Sequence, residues 1–199
     1  MPKRVDHEAR RREIVDTLIR ITARDGLQAA TSRAIATELG VATGALWHYF
    51  PSFDAVLAAA FLAAFDATNA RIAAATEGIA GLAALRATMT EILPTTKITQ
   101  DEARVVVHFW GRVAVDEALA DPQREFDEVW RRRIAGHLAE AVDRGELQAT
   151  TPIDALTDVL LSISMGQQVE WVTRATLSTP ERQSRLLETC LSPWLRTSE

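Results

Sequence analysis

Residues 31–50, TSRAIATELGVATGALWHYF, restrict the possible folds more than any other stretch of the chain. They predict a helix, a tight turn and a second short helix. Thr31 or Ser32 is a suitable N-cap, because a hydroxyl accepts from an amide two or three residues on that the helix itself leaves unpaired. Ile35, Ala36 and Leu39 form one stripe, and Ala36 is small enough for a second helix to cross closely over it. Gly40 can take the left-handed conformation that ends the first helix. Val41 and Leu46 fall where the second helix buries them, and Phe50 closes the end. Thr43, Gly44, Trp47, His48 and Tyr49 are left on or near the open face. They donate hydrogen bonds, stack or permit close approach, and none carries a fixed negative charge, as a helix lying in a major groove requires.

The rest of the chain keeps the same period. Residues 7–25 predict a helix covering the motif through Ile14, Leu18, Ile21 and Thr22, with Gly26 as its stop. From Ser52 the pattern stays helical, with almost no alternating β-branched runs. An Ala-rich helix over 52–76 is followed by shorter ones near 79–93 and 101–119, the latter opened by a capping box at Thr99-x-x-Glu102. Asp121-Pro122, Thr151-Pro152 and Thr179-Pro180 each place a cap before a proline at the first helical position, where its missing amide costs nothing. They delimit helices near 122–145, 152–176 and 180–195. The expected fold is all-α, with about nine helices: an N-terminal three-helix domain over 8–68, carrying the helix-turn-helix at about 31–50, and a larger helical domain over 69–199.

The net charge of −5 opposes a nucleic-acid partner until the chain is divided. Residues 1–50 hold eight Lys and Arg against six Asp and Glu, a balance of +2 that leaves −7 on the remainder. That asymmetry suggests a DNA-facing end and an acidic body. Lys3 and Arg4 lie in a segment without apolar period, which can follow the DNA backbone or equally be a tail with no role. Arg10 and Arg33 extend the basic surface, although a solvated helix face accounts for the Arg10–Arg12 run about as well. The single cysteine, Cys190, excludes a disulfide framework, and with no secretory leader the expected place is the cytoplasm. No apolar run approaches the roughly 18 residues of a membrane span.

Residues 8–68 resemble the DNA-binding domain of the TetR family of transcriptional regulators. The resemblance rests on Thr31-Ser32, Ile35-Ala36, Leu39-Gly40-Val41, Thr43-Gly44, Leu46 and the run Trp47-His48-Tyr49-Phe50, with PSFDAVL at 51–57 resembling the start of that family's fourth helix. The family usually has Tyr where this chain has Trp47, whose indole N–H can still reach a phosphate. It usually has Lys where this chain has Phe53, which removes a phosphate contact. From about Arg104 to Leu195 the helix order resembles the betaine-repressor-type ligand-binding domain of one branch.

The resemblance implies a repressor on a palindromic double-stranded DNA operator, released by a small apolar or amphipathic effector. It also implies an effector pocket among Met89, His108, Phe109, Trp110, Val113, Trp130, Met165, Gln168 and Trp171, residues that singly suit any helical core. The last two helices carry wide apolar faces. Leu156, Leu160 and Ile163 form one stripe and Leu187, Leu191 and Trp194 another, consistent with a two-fold four-helix homodimer interface or with ordinary core. Catalysis, a cofactor and a metal are not expected. Cys190 has no nearby histidine, His137-x-x-Glu140 stands alone, and GIAG at 78–81 follows no strand. The rival reading is a helical ligand-binding or scaffold protein whose N-terminal motif no longer binds DNA, favoured by Phe53 and by the net acidity.

Overall fold

Asp6 opens the first helix, α1 (His7–Asp25), by accepting from the amides of Glu8 and Ala9 at 3.1 and 3.2 Å, and Gly26 closes it at φ 82°. The computed structural model describes residues 6–116, 120–173 and 178–196, the side chains of Leu27 and residues 120–122 excepted. Among these residues the expected all-α class is borne out, with nine α-helices and no strand. After a 3-10 turn at Leu27–Ala29 come α2 (Ser32–Glu38), α3 (Thr43–Leu46), α4 (Phe53–Ala75), α5 (Gly81–Ile92) and α6 (Lys97–Val113). They are followed by α7 (Ala120–Asp143), α8 (Ile153–Val172), α9 (Pro180–Leu191) and a 3-10 turn at Ser192–Trp194.

Two of the expected helix starts use different atoms. Helix α6 is opened by Thr96, not Thr99: the Thr96 amide donates to Thr99 Oγ1 at 3.0 Å and the Thr99 amide to Thr96 Oγ1 at 3.2 Å. Glu102 is drawn off to Arg71, which donates to it from two nitrogens at 2.8 and 2.6 Å. At α8, Pro152 is itself the N-cap and makes no side-chain bond. The Thr151 hydroxyl instead donates to the Gln148 carbonyl at 2.6 Å and tightens the preceding turn. Thr179 caps α9 as expected, accepting from the Arg182 amide at 3.2 Å. The Asp121-Pro122 side chains lie outside the described residues.

Two compact units divide the described chain. One joins the residues up to Asp66 with the stretch from Arg104, and the other joins Ala67–Ala103 with the chain from Ala120. In the first, Ile14, Leu18 and Ile21 of α1 are buried along with Ile35, Leu46, Phe50, Leu57 and Phe61. Phe109 of α6 belongs to this unit, fully buried and stacked on Phe61 with ring centroids 4.1 Å apart. In the second, α5 packs on α7 and α7 on α8. Its core runs through Leu85, Met89, Ile134, Leu138, Leu156, Leu160, Leu187 and Leu191.

Helix α4 corrects one expectation. By length and composition alone it is apolar enough to cross a membrane, because its alanines count towards that measure without forming an obvious apolar run. Its Val56, Leu57, Ala60, Phe61, Ala64 and Ile72 are buried within the protein.

Helix α5 has no side-chain cap of its own. Two distant carboxylates do that work: Glu140 accepts from the Gly81 amide at 3.1 Å and Glu146 from the Leu82 amide at 2.7 Å. The approach requires Gly81, which sits at φ 62° and whose Cβ would run into the Glu146 carboxylate. The Leu82 amide, and then the Arg144 guanidinium, hold the Glu146 carboxyl below the usual carboxylate range, although its desolvation acts the other way. A depressed folded-state pKa stabilises the fold above the unfolded value and is lost as pH falls through the folded one. Glu146→Ala is therefore expected to cost about 1 kcal/mol at pH 7. Urea titrations should show the gap to wild type closing as the pH drops below about 4.

Candidate nucleic-acid interface

The motif folds on the devices its sequence carries. Thr31 Oγ1 accepts from the Ala34 amide at 3.2 Å, Gly40 stands at φ 66°, and the Val41 amide returns to the Ala36 carbonyl at 2.9 Å. Of the apolar residues expected inside the motif, Ile35, Ala36, Leu46 and Phe50 are buried, whereas Leu39 and Val41 are only half-buried. Around α3, Thr43 and Trp47 lie one helical turn apart, as do Gly44 and His48. Gly44, Trp47 and His48 are exposed and Thr43 is half-buried. Trp47 leaves 42% of its surface to solvent.

Helix α1 grips the far end of this face. Arg11 donates to the Tyr49 carbonyl, and its guanidinium lies 4.0 Å above the Phe50 ring. The His7 ring stands 5.0 Å from that of Tyr49, tilted by 45°. Tyr49 is thus half-buried against α1, whereas Trp47 and His48 stand clear. Neither Arg11 nor His7 was singled out by sequence, since a contact across 38 residues leaves no local signal.

Electrostatics sort the basic residues further. Arg20 and Arg24 both donate to Glu38, at 2.7 and 3.0 Å, and Arg24 also pairs with Asp25. The bonds from these two guanidiniums hold the Glu38 carboxyl below its ordinary range, so the one acidic side chain of α2 is already engaged. Arg10 pairs with Glu13 at 2.5 Å across an exposed turn, where such pairs are weak. Arg12 and Arg33 are exposed and have no ion pair among the described residues. Thr31 is committed to its cap and Ser32 is half-buried. Lys3 and Arg4 lie outside the described residues.

Next to the motif, Asp54 in the first turn of α4 accepts from Arg112 of α6 at 2.7 Å. One turn back on α6, burial and then the Arg112 charge push the His108 imidazole below its ordinary pKa, with Asp54 opposing them.

The nine residues considered for an effector pocket divide between the two units. His108, Phe109, Trp110 and Val113 belong to the first, and Met89, Trp130, Met165, Gln168 and Trp171 to the second. Met89 is fully buried in the second unit's core, and Gln168 is buried as well. The Trp171 indole donates to the Gln100 carbonyl at 3.2 Å. Met165 is exposed, on the solvent side of α8.

The six interface candidates are equally unequal. Leu156, Leu160, Leu187 and Leu191 are spent in the chain's own core, which leaves them no surface to offer a second copy. Ile163 and Trp194 are half-buried. The apolar groups that α8 turns to solvent are Val159, Met165 and Val169, between 42 and 45% exposed.

A buried helix-turn-helix with an uncharged exposed face defines a DNA-binding protein, and comparison with known proteins gives its family. Residues 14–60 match the bacterial regulatory proteins of the tetR family, and residues 81–195 match the C-terminal domain of BetI-type transcriptional repressors. The chain belongs to the TetR family of transcriptional regulators, and its second domain is of the BetI type. It is 27% identical over 165 residues to the regulator BetI of Burkholderia mallei, covering 80% of this chain and 84% of that one. A match to the regulator PksA of Bacillus subtilis reaches 45% identity over 58 residues, spanning 29% of this chain and 28% of PksA. Among solved structures, a transcriptional regulator from Rhodococcus sp. Rha1 superposes with a TM-score of 0.78 at 25% identity, over 94% of this chain and 99% of that one. A regulator from Saccharomonospora viridis, solved in complex with choline, has the same fold, with a TM-score of 0.86 at 21% identity over 96% and 100% of the two chains. The protein is a DNA-binding transcriptional regulator of the repressor type, and its family consists of regulators, not enzymes.

Proposed function

We propose that the protein acts in the cytoplasm as a homodimer that sets two copies of α3 against a pseudo-palindromic operator and lets go when a small effector binds. The observation that carries this reading is the face Thr43, Gly44, Trp47 and His48, held outward by a fully packed motif. The dimer is supported by the solvent side of α8. Val159, Ser162, Met165, Gly166 and Val169 are all exposed there, and a Cβ on Gly166 would meet nothing within 4 Å. Two such helices could cross closely and bury an apolar strip that water otherwise wets.

The effector is read as a small molecule with an apolar or quaternary-ammonium part. The choline held by the Saccharomonospora viridis regulator supports that class, and tryptophan faces suit such a cation. Among the candidate residues of the second unit, Met165 is the least favoured because it faces solvent. A helical ligand-binder that no longer recognises DNA has only Phe53 and the net acidity behind it. The intact recognition face and the free Arg12 and Arg33 weigh against it.

The test is selection of genomic DNA fragments by the purified protein, followed by salt titration of the enriched duplex. An inverted repeat bound with steep salt dependence is expected, and no enrichment of any repeat would sink the reading. Each phosphate contact releases counterions, so Arg33→Ala should flatten the slope of log K against log salt by about 0.9. Arg24→Ala should change it much less, because Asp25 and Glu38 already meet that charge in the free protein.

A further inference from the structure

We propose that α3 reads thymine C5-methyl groups, with Trp47 as the reading side chain and Gly44 as the clearing that lets the base edges come close. The inference rests on the DNA-binding reading above and names what that face recognises. Purines are read in the major groove chiefly through two-pronged groups: a guanidinium on guanine, or an Asn or Gln amide on adenine. Between Leu39 and Phe53 the chain has no Asp, Glu, Lys, Arg, Asn or Gln. Of these residue types the motif holds only Arg33 and Glu38, both on α2.

What α3 does present is apolar surface. Trp47 is 42% exposed, and its side chain makes no hydrogen bond among the described residues. Thr43 lies one turn earlier, half-buried, and Ala42 is exposed beside it. The C5-methyl of thymine is the one apolar group that a natural base pair shows in the major groove.

Gly44 adds a second, independent observation. It lies within the helix, its φ is not in the left-handed region, and a Cβ there would meet nothing within 4 Å. Neither packing nor backbone geometry asks for glycine, and glycine is a poor helix former. Its smallness is useful only to something that approaches from outside.

The experiment uses the duplex enriched by the wild-type protein, resynthesised with deoxyuridine for thymidine across the half-sites. The substitution deletes the methyl and leaves base pairing intact. Wild-type affinity is expected to fall about fourfold for each contacted methyl, while Trp47→Ala binds the two duplexes equally. Equal wild-type affinity for both duplexes would overturn the proposal and put the indole on a phosphate. A drop of the same size in Trp47→Ala would overturn Trp47's role. Should that variant fail to fold, the wild-type comparison still decides. Gly44→Ala is expected to raise the melting temperature and weaken operator binding at least tenfold on the order-of-magnitude scale of one base contact, and unchanged affinity would overturn the clearing. Failure to enrich any duplex is a separate outcome that removes the DNA-binding reading itself, and this inference with it.

Discussion

Phe109→Ala is expected to lower the unfolding free energy by about 3–5 kcal/mol, the usual range for a large aromatic removed from a packed interior. Phe109 is fully buried, and its ring lies almost parallel to Phe61, 13° between planes and 4.1 Å between centroids. Alanine would leave a void that two helices, each fixed by its own hydrogen bonds, close poorly. Domains of this size are stable by only about 5–15 kcal/mol, so the loss is a large share of the total. Phe109 belongs to the unit that carries the recognition helix, and operator binding should fail as that unit melts. Denaturant titration and operator binding measured at one temperature would check both effects. A variant that keeps wild-type stability and changes only its response to an effector would show instead that Phe109 lines a ligand cavity.

Charging the outer side of α8 is expected to abolish operator binding without unfolding the chain. Val159 and Val169 are 45 and 42% exposed, so Val159→Asp with Val169→Asp adds two solvated charges and leaves the inner face intact. In a dimer the same charges would be buried without counter-ions, at a cost of several kcal/mol. Light scattering should report a folded monomer with an unchanged helical signal. Operator affinity should drop by about 10²–10⁴, the usual gain from holding two binding modules together. Leu160→Asp is the contrasting variant. Leu160 is fully buried in its own chain, so this change should unfold the second unit whatever the assembly state. If the α8 double variant stayed dimeric, the interface would have to lie elsewhere.

How much of this was legible in the sequence depended on distance along the chain. Thr31, Gly40, Gly26 and Thr179 act through atoms within four residues, and each does in the structure what its type and place predict. The burial of Ile35, Ala36, Leu46 and Phe50 was readable for the same reason, whereas Leu39 and Val41, expected inside with them, are only half-buried. Glu102 was misread as a cap because Arg71, 31 residues away, competes for it with two hydrogen bonds. The Arg11 contact with Tyr49 and the joint hold of Arg20 and Arg24 on Glu38 were invisible on the same grounds.

Helix α8 marks the limit most clearly. Leu156 and Leu160 lie on one side and Val159, Met165 and Val169 on another, so the helix is apolar nearly all round. Periodicity finds a buried face by contrast with a polar one, and here the contrast is absent. The sequence by itself determined that this segment is a helix with much apolar surface to cover. Only the packing of α5, α7 and α9 decided which leucines that core consumes, and so which valines remain for water or for a second copy.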